Sequence, residues 1–165
     1  MRPSSLALRA WSLLSLAALA AGAPFAPRNL LVVRTSGGAA SLDEYTLAGT
    51  LAQSLAVPGC TLGTGGGQAY GSNSADGAFA LFGCGTAVNL ARLVVRVSAD
   101  GTVDSSTTYN TAGQSNYLPR GVSSADGSRI YVTDGHGVYL GAAGASAVAL
   151  NTVNWCVSQY RSACR

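Results

Sequence analysis

The chain contains no lysine. Its ten basic residues are all arginine and no two are adjacent, so it lacks the clustered positive face on which nucleic-acid binding rests. Nucleic acid is therefore not an expected partner. Arg, Ala and Gly dominate where Lys is missing, and we read that as coding bias rather than function. There is one histidine, His136, and no Cys-x-x-Cys pair. Those spacings do not suit a zinc centre, and no cofactor is expected. No Asn-x-Ser/Thr acceptor for glycosylation occurs. Beyond the first twenty residues, no apolar run approaches the about 20 residues that cross a bilayer as a helix.

The N-terminus does carry an apolar run. Arg2 and Arg9 precede WSLLSLAALA (11–20) and then AAGAP, which is the order of a positive region, an apolar region and a small-residue cleavage site in a secretory signal. Residues 1–23 are read as that signal. Ala21-Gly22-Ala23 fits the cleavage pattern, but Pro24 is awkward just after a cut, so cleavage after Ala20 is the alternative. An uncleaved anchor is the rival reading. Without residues 1–23, eight arginines face seven acids, and the net charge falls to +1. The protein is expected to be secreted, extracellular or periplasmic, with no stable membrane span once the signal is removed.

Four cysteines, Cys60, Cys84, Cys156 and Cys164, agree with an oxidising compartment. Three pairings are open. Cys60 with Cys84, closing a Gly-rich loop, and Cys156 with Cys164 are preferred.

What remains is written in short strand-like phrases separated by turn residues. NLLVVRT (29–35) and AFALFG (78–83) suit buried strands. LDEYTLAGTLAQSLAVPG (42–59) reads as strand, turn at Gly49, strand. ARLVVRVSADGTVDSST (91–107) and GVSSADGSRIYVTDGHGVYLG (121–141) read likewise, while CTLGTGGGQAYGSN and TYNTAGQSNYLPR read as connectors. Residues 141–155 can be strand or short helix.

Ser-Ala-Asp-Gly occurs three times, at Asp76-Gly77, Asp100-Gly101 and Asp126-Gly127. Each is expected to be a structural turn, since Gly accepts positive φ and a short carboxylate bonds nearby N–H groups. Asp76 and Asp126 are 50 residues apart, and Gly49 and Gly101 are 52 apart. LLVVR ending at Arg34 and LVVR ending at Arg96 are 62 apart, which implies extra residues in one round. A period near 50 with about four strands is the signature of a β-propeller blade.

SSADGSRIYVTDGHGVYL (123–140) resembles secreted β-propeller repeats of the YVTN type. The residues that carry the likeness are Ser124, Asp126, Gly127, Ile130, Tyr131, Val132 and Thr133, with Asp134 where Asn is usual. SNSADGAFALFG matches only the turn and the strand hydrophobicity. FAPRNLLVVRT with LDEYTLAGTLAQSLAVPG resembles the first blade of uncharacterised secreted propeller proteins. The resemblance spans most of residues 25–140. It implies an all-β, antiparallel fold of propeller-type blades over residues 24–150, with no major helix after the signal. Only two to three blades fit this length, and a closed ring takes four to eight. Residues 151–165 depart from the pattern and read as a divergent tail. A shortened family member is one explanation, and chains that self-assemble to close a ring are the other.

No catalytic or metal-binding residue is assigned. Asp43 and Glu44 are neighbours on a strand and face opposite ways, which does not suit paired acid–base work. His136 between two glycines is expected at an exposed turn. GAAGASA lacks the last glycine of a nucleophile elbow, and GTGGGQAYG lacks the Lys-Ser/Thr of a phosphate loop. Tyr45, Tyr70, Tyr109, Tyr117 and Tyr139 are candidate contacts for an unidentified ligand or protein partner, although strand tyrosines can also be core, Tyr131 above all. The resulting expectation is a non-catalytic module that binds through its surface or serves the cell envelope. A propeller hydrolase, lactonase-like and dependent on a divalent cation, is the alternative.

Overall fold

The structure, a computed structural model, describes residues 20–62, 70–86, 91–111 and 118–151. Within these residues every regular element is a β-strand and none is a helix. Most of the proposed signal, Tyr117, Cys156, Cys164 and most of the divergent tail lie outside the described residues.

The strands run β1 Ala20–Ala21, β2 Leu30–Ser36, β3 Ala39–Tyr45, β4 Leu51–Thr61, β5 Ser72–Asn73, β6 Phe79–Gly85, β7 Ala91–Ser98, β8 Thr102–Asn110, β9 Gly121–Ser124, β10 Arg129–Thr133, β11 Val138–Ala142 and β12 Val148–Asn151. All strand pairs are antiparallel. β9 to β12 form a four-stranded sheet in chain order, and the other eight strands form the second sheet. That larger sheet is nearly two pieces. β4 meets β6 at one residue pair, Thr61 with Gly85. The chain therefore folds as three successive meanders, β2–β3–β4, β5–β8 and β9–β12, with β1 added at the outer edge of β8.

The middle meander is buried on both faces, which explains its near-continuous apolar strands. Phe82, Cys84, Leu93, Val95, Val97 and Val103 pack with Ala40, Leu42, Val57, Cys60 and Leu62 of the first meander. Leu81, Val94 and Tyr109 pack with Val122, Ile130, Val132, Tyr139 and Ala147 around the third. Side chains alternate across a strand, so Leu81 and Phe82 enter different cores although they are neighbours. The meanders are thus stacked face to face.

Val103 and Tyr109 break this alternation on β8. Both are odd-numbered, yet they face opposite cores. The cause is a β-bulge: Arg96 opposes Asp104 and Val94 opposes Thr107, which leaves one extra residue on β8. Asp104 Oδ1 accepts the Ser106 N–H at 2.9 Å and holds the bulge. One inserted residue reverses which face every later side chain takes.

The turns align the meanders. Asp76-Gly77 lies between β5 and β6, and Asp126-Gly127 lies between β9 and β10, the same step of successive meanders. The two turns also touch: Ala75 N–H donates to the Ser124 carbonyl and Asp76 N–H to the Ala125 carbonyl, both at 3.0 Å. Asp100-Gly101 lies between the third and fourth strands of its meander, where the first has Gly49 between β3 and β4. Arg34 is on β2 and Arg96 on β7. These are not corresponding strands, so their 62-residue separation measures no insertion.

Candidate functional site

Cys60 and Cys84 form a disulfide with Cα atoms 5.5 Å apart, and both are buried. It crosses from β4 to β6, next to the single residue pair that joins the first two meanders.

The three Ser-Ala-Asp-Gly turns share one mechanism. Gly77, Gly101 and Gly127 have φ of 74°, 83° and 77°, in the left-handed region open to glycine. Each aspartate accepts the N–H two residues on, at 3.0, 2.9 and 2.9 Å for Asp76, Asp100 and Asp126. Hydroxyls of Ser74, Ser98 and Ser128 bond the same carboxylates and hold all three below the usual carboxylate range. These carboxylates are occupied by their own turns.

Asp43 and Glu44 are both buried, on opposite faces of β3. Asp43 accepts from Arg34 Nε and the Ser54 hydroxyl, each at 2.5 Å. Glu44 lies beneath the chain entering β2. It accepts from Gln53 Nε2, Asn29 Nδ2 and the Ala26 N–H, all at 2.7 Å. Arg34 first, then Ser54, holds Asp43 below its ordinary value, and Gln53, followed by Asn29, does so for Glu44. Two depressed carboxylates contribute stability that is present above their unfolded values of 3.8 and 4.5 and lost as pH falls through the lower folded values. The urea midpoint is therefore expected to hold from neutrality to about pH 5 and to fall below about pH 4. Asp43→Asn should be less stable at pH 7, with the difference shrinking as the pH is lowered. A difference independent of pH would rule out the linkage.

Asp104 bridges Arg96 at 2.9 Å. Burial pushes this carboxyl up, but Ser106 and Arg96 outweigh it and hold it low. Asp134 caps the turn between β10 and β11, its Oδ1 accepting the N–H groups of His136 at 2.7 Å and Gly137 at 3.0 Å. Each of the seven acids thus has a partner on a neighbouring strand or in its own turn. Among the described residues, no three of His, Cys, Asp and Glu are grouped to hold a metal ion.

A buried polar group lies where the second and third meanders meet. Arg92, Tyr109, Tyr139 and Asp134 are each under 2 % exposed. The Tyr109 and Tyr139 rings pack with centroids 4.4 Å apart. Among the described residues, the Tyr109 hydroxyl and Asp134 Oδ2 have no partner in hydrogen-bond geometry. They nevertheless lie within each other's field: burial first, then the Asp134 carboxylate, pushes the tyrosine's ionisation far above its usual value. The group is closed to solvent and functions as core.

Tyrosine placement corrects three sequence expectations. Tyr109 and Tyr139 are core residues and cannot act as surface contacts. Tyr131 is 41 % exposed, because Ile130 and Val132 take the inward face of β10 and alternation turns Tyr131 outward. Tyr70 is exposed, and Tyr45 and His136 are half-buried.

A cleft of about 670 Å³ lies between β2 and the β5–β6 pair. Its walls are Asn29–Val33 with Leu42 on one side, and Gly71–Asn73 with Ala80–Phe82 on the other. None of these residues is charged. Sequence reasoning missed the cleft because it is made by a neighbour that β2 lacks among the described residues: there β5 pairs with β6 and β9 with β10, but β2 pairs with β3 alone. The Gly-rich run read as a connector contains β5, whose two residues carry no periodic signal. No protein-family model, curated protein or solved structure matches the chain.

Proposed function

We propose that the chain is an exported, non-catalytic binding module built of propeller-type blades, a relative of YVTN-type repeat proteins. The observation that carries this reading is the contact between the Asp76 and Asp126 turns. Copies of one motif, 50 residues apart, lie on successive meanders stacked face to face, as blades do. The structural engagement of all seven carboxylates supports binding over hydrolysis. Export is supported by the leader-like N-terminus and by the Cys60–Cys84 disulfide, a bond favoured in oxidising compartments.

The described fold favours one processing site. The Gly22 N–H donates to the Gly101 carbonyl at 3.0 Å, and the Ala23 backbone exchanges two hydrogen bonds with the Gln53 side chain. Cleavage after Ala20 keeps these bonds, and cleavage after Ala23 removes them. N-terminal sequencing and intact mass of protein from the culture medium should place the first residue at Ala21, with light scattering reporting a defined species and metal analysis no stoichiometric calcium. Retention of Met1 would remove the export claim, and one bound calcium per chain would favour the hydrolase.

A further inference from the structure

We propose that the cleft beside β2 is a strand-addition site for an uncharged, extended segment of a partner polypeptide. This deepens the binding reading above and rests on it.

The first ground is the shape of the cleft. Leu30, Leu31, Val32 and Val33 all line it, although alternate side chains on a strand face opposite ways. Only an opening along the edge of a strand is bordered by four consecutive residues. Asn73, Ser72 and Gly71 form a similar consecutive run on the facing wall. The cleft therefore runs between two strand edges, and the outward N–H and C=O groups of β2 face into it.

The second ground is what occupies the corresponding place elsewhere in the molecule. In the second meander it holds Ser72–Asn73 on β6, and in the third Gly121–Ser124 on β10. Both occupants are short, uncharged strands with small side chains. In the first meander, no described strand takes this place. A residue in a packed sheet fills about 160 Å³, from roughly 3.3 Å of rise, 4.8 Å between strands and 10 Å between sheets. The cleft thus has room for about four residues of strand, the length of β9.

The third ground is chemistry. Leu30 is 60 % and Val32 37 % exposed; β2 has no proline to block pairing, and its one charged residue, Arg34, is paired with Asp43 and does not line the cleft. An open apolar edge is normally blunted or covered. Added strands gain affinity from main-chain hydrogen bonds and specificity from alternate side chains. A lining without charge selects against a charged segment, since a charge buried there would have no partner.

The test uses the full chain and two capped peptides with the sequences of residues 69–75 (AYGSNSA) and 121–125 (GVSSA). Hydrogen exchange is followed by NMR. The amides of Leu30–Ser36 that point away from β3 should exchange about tenfold more slowly when peptide is present at about 1 mM. Val32→Glu, at a partly exposed site, should weaken that protection about tenfold with an unchanged melting temperature. Absence of protection at β2 with either peptide would overturn the proposal. So would protection, in the free chain, of the β2 amides that point away from β3, meaning that a segment of the chain itself fills the cleft. Protection that grows with protein concentration alone would overturn it in favour of a second copy. Calcium analysis of the same sample reads the parent proposal separately. Bound calcium would remove the non-catalytic reading whatever the peptides do, while missing peptide protection removes only the strand-addition site.

Discussion

Replacing Cys60 and Cys84 together by alanine should lower stability by about 3.5 kcal/mol, the chain-entropy value for a cross-link closing a loop of this length. The bond spans 24 residues, so without it the unfolded chain regains the freedom of that loop. At about 3–5 °C per kcal/mol for a chain of this size, the melting temperature should drop roughly 10–18 °C. The site makes the effect local as well as global. β4 and β6 share a single ladder pair among the described residues, Thr61–Gly85. The disulfide is therefore the one covalent tie there between the first meander and the second, beside their apolar interface and a few hydrogen bonds such as Ser105 to the Pro58 carbonyl. Hydrogen exchange in β2–β4 should rise more than in β9–β12. Reduction should destabilise the parent protein by a similar amount and leave the double variant nearly unchanged. A loss under 1 kcal/mol, or exchange rising equally in all three meanders, would show that the bond does not tie the meanders together.

The second large effect tests the stack itself. Leu81 is fully buried and Phe82 is 2 % exposed, and each fills a different core. Truncation of either to alanine should cost about 3–4 kcal/mol from lost burial and the cavity left behind. Adjacent residues ordinarily couple, whereas residues without shared partners add within about 0.5 kcal/mol. Leu81 and Phe82 share a backbone but no core, so the double variant should lose the sum of the two single losses, read by urea unfolding. Where the double truncation unfolds, the milder pair Leu81→Val and Phe82→Leu reads the same additivity in a folded protein. Coupling above about 1 kcal/mol would mean that the two side chains enter a common core, and the face-to-face arrangement would be wrong.

The all-β content and the placement of most strands were legible because turn chemistry is local. Asp-Gly after Ser needs only its own few residues to make a turn: glycine supplies the positive φ and the carboxylate bonds an N–H two positions away. The same locality made the spacing of Asp76 and Asp126 a sound guide. It misled at Arg34 and Arg96, where two similar apolar phrases belong to different strands of their meanders. Tyr131 could have been placed from its neighbours, since Ile130 and Val132 claim one face of β10 between them. Tyr109 could not, because the bulge at Asp104–Thr107 shifts the alternation through a pairing that only the folded sheet reveals.

The candidate site was the least legible part. The cleft depends on where the chain does not place a strand, and the unpaired edge of β2 has no mark in the text LLVVRTS. The residues most readily suspected of chemistry, the acids, proved to be partners of arginine, serine and backbone N–H groups.

The sequence by itself determined the turns, the strand phrases between them and a fifty-residue rhythm, because those follow from φ preferences and side-chain alternation over a few residues. Tertiary structure alone decided where the alternation breaks on β8, which of the open cysteine pairings forms at Cys60 and Cys84, and that among the described residues β2 is paired on one edge only, beside a cleft. Each of these depends on contacts between residues far apart in the chain, and local preferences carry no information about them.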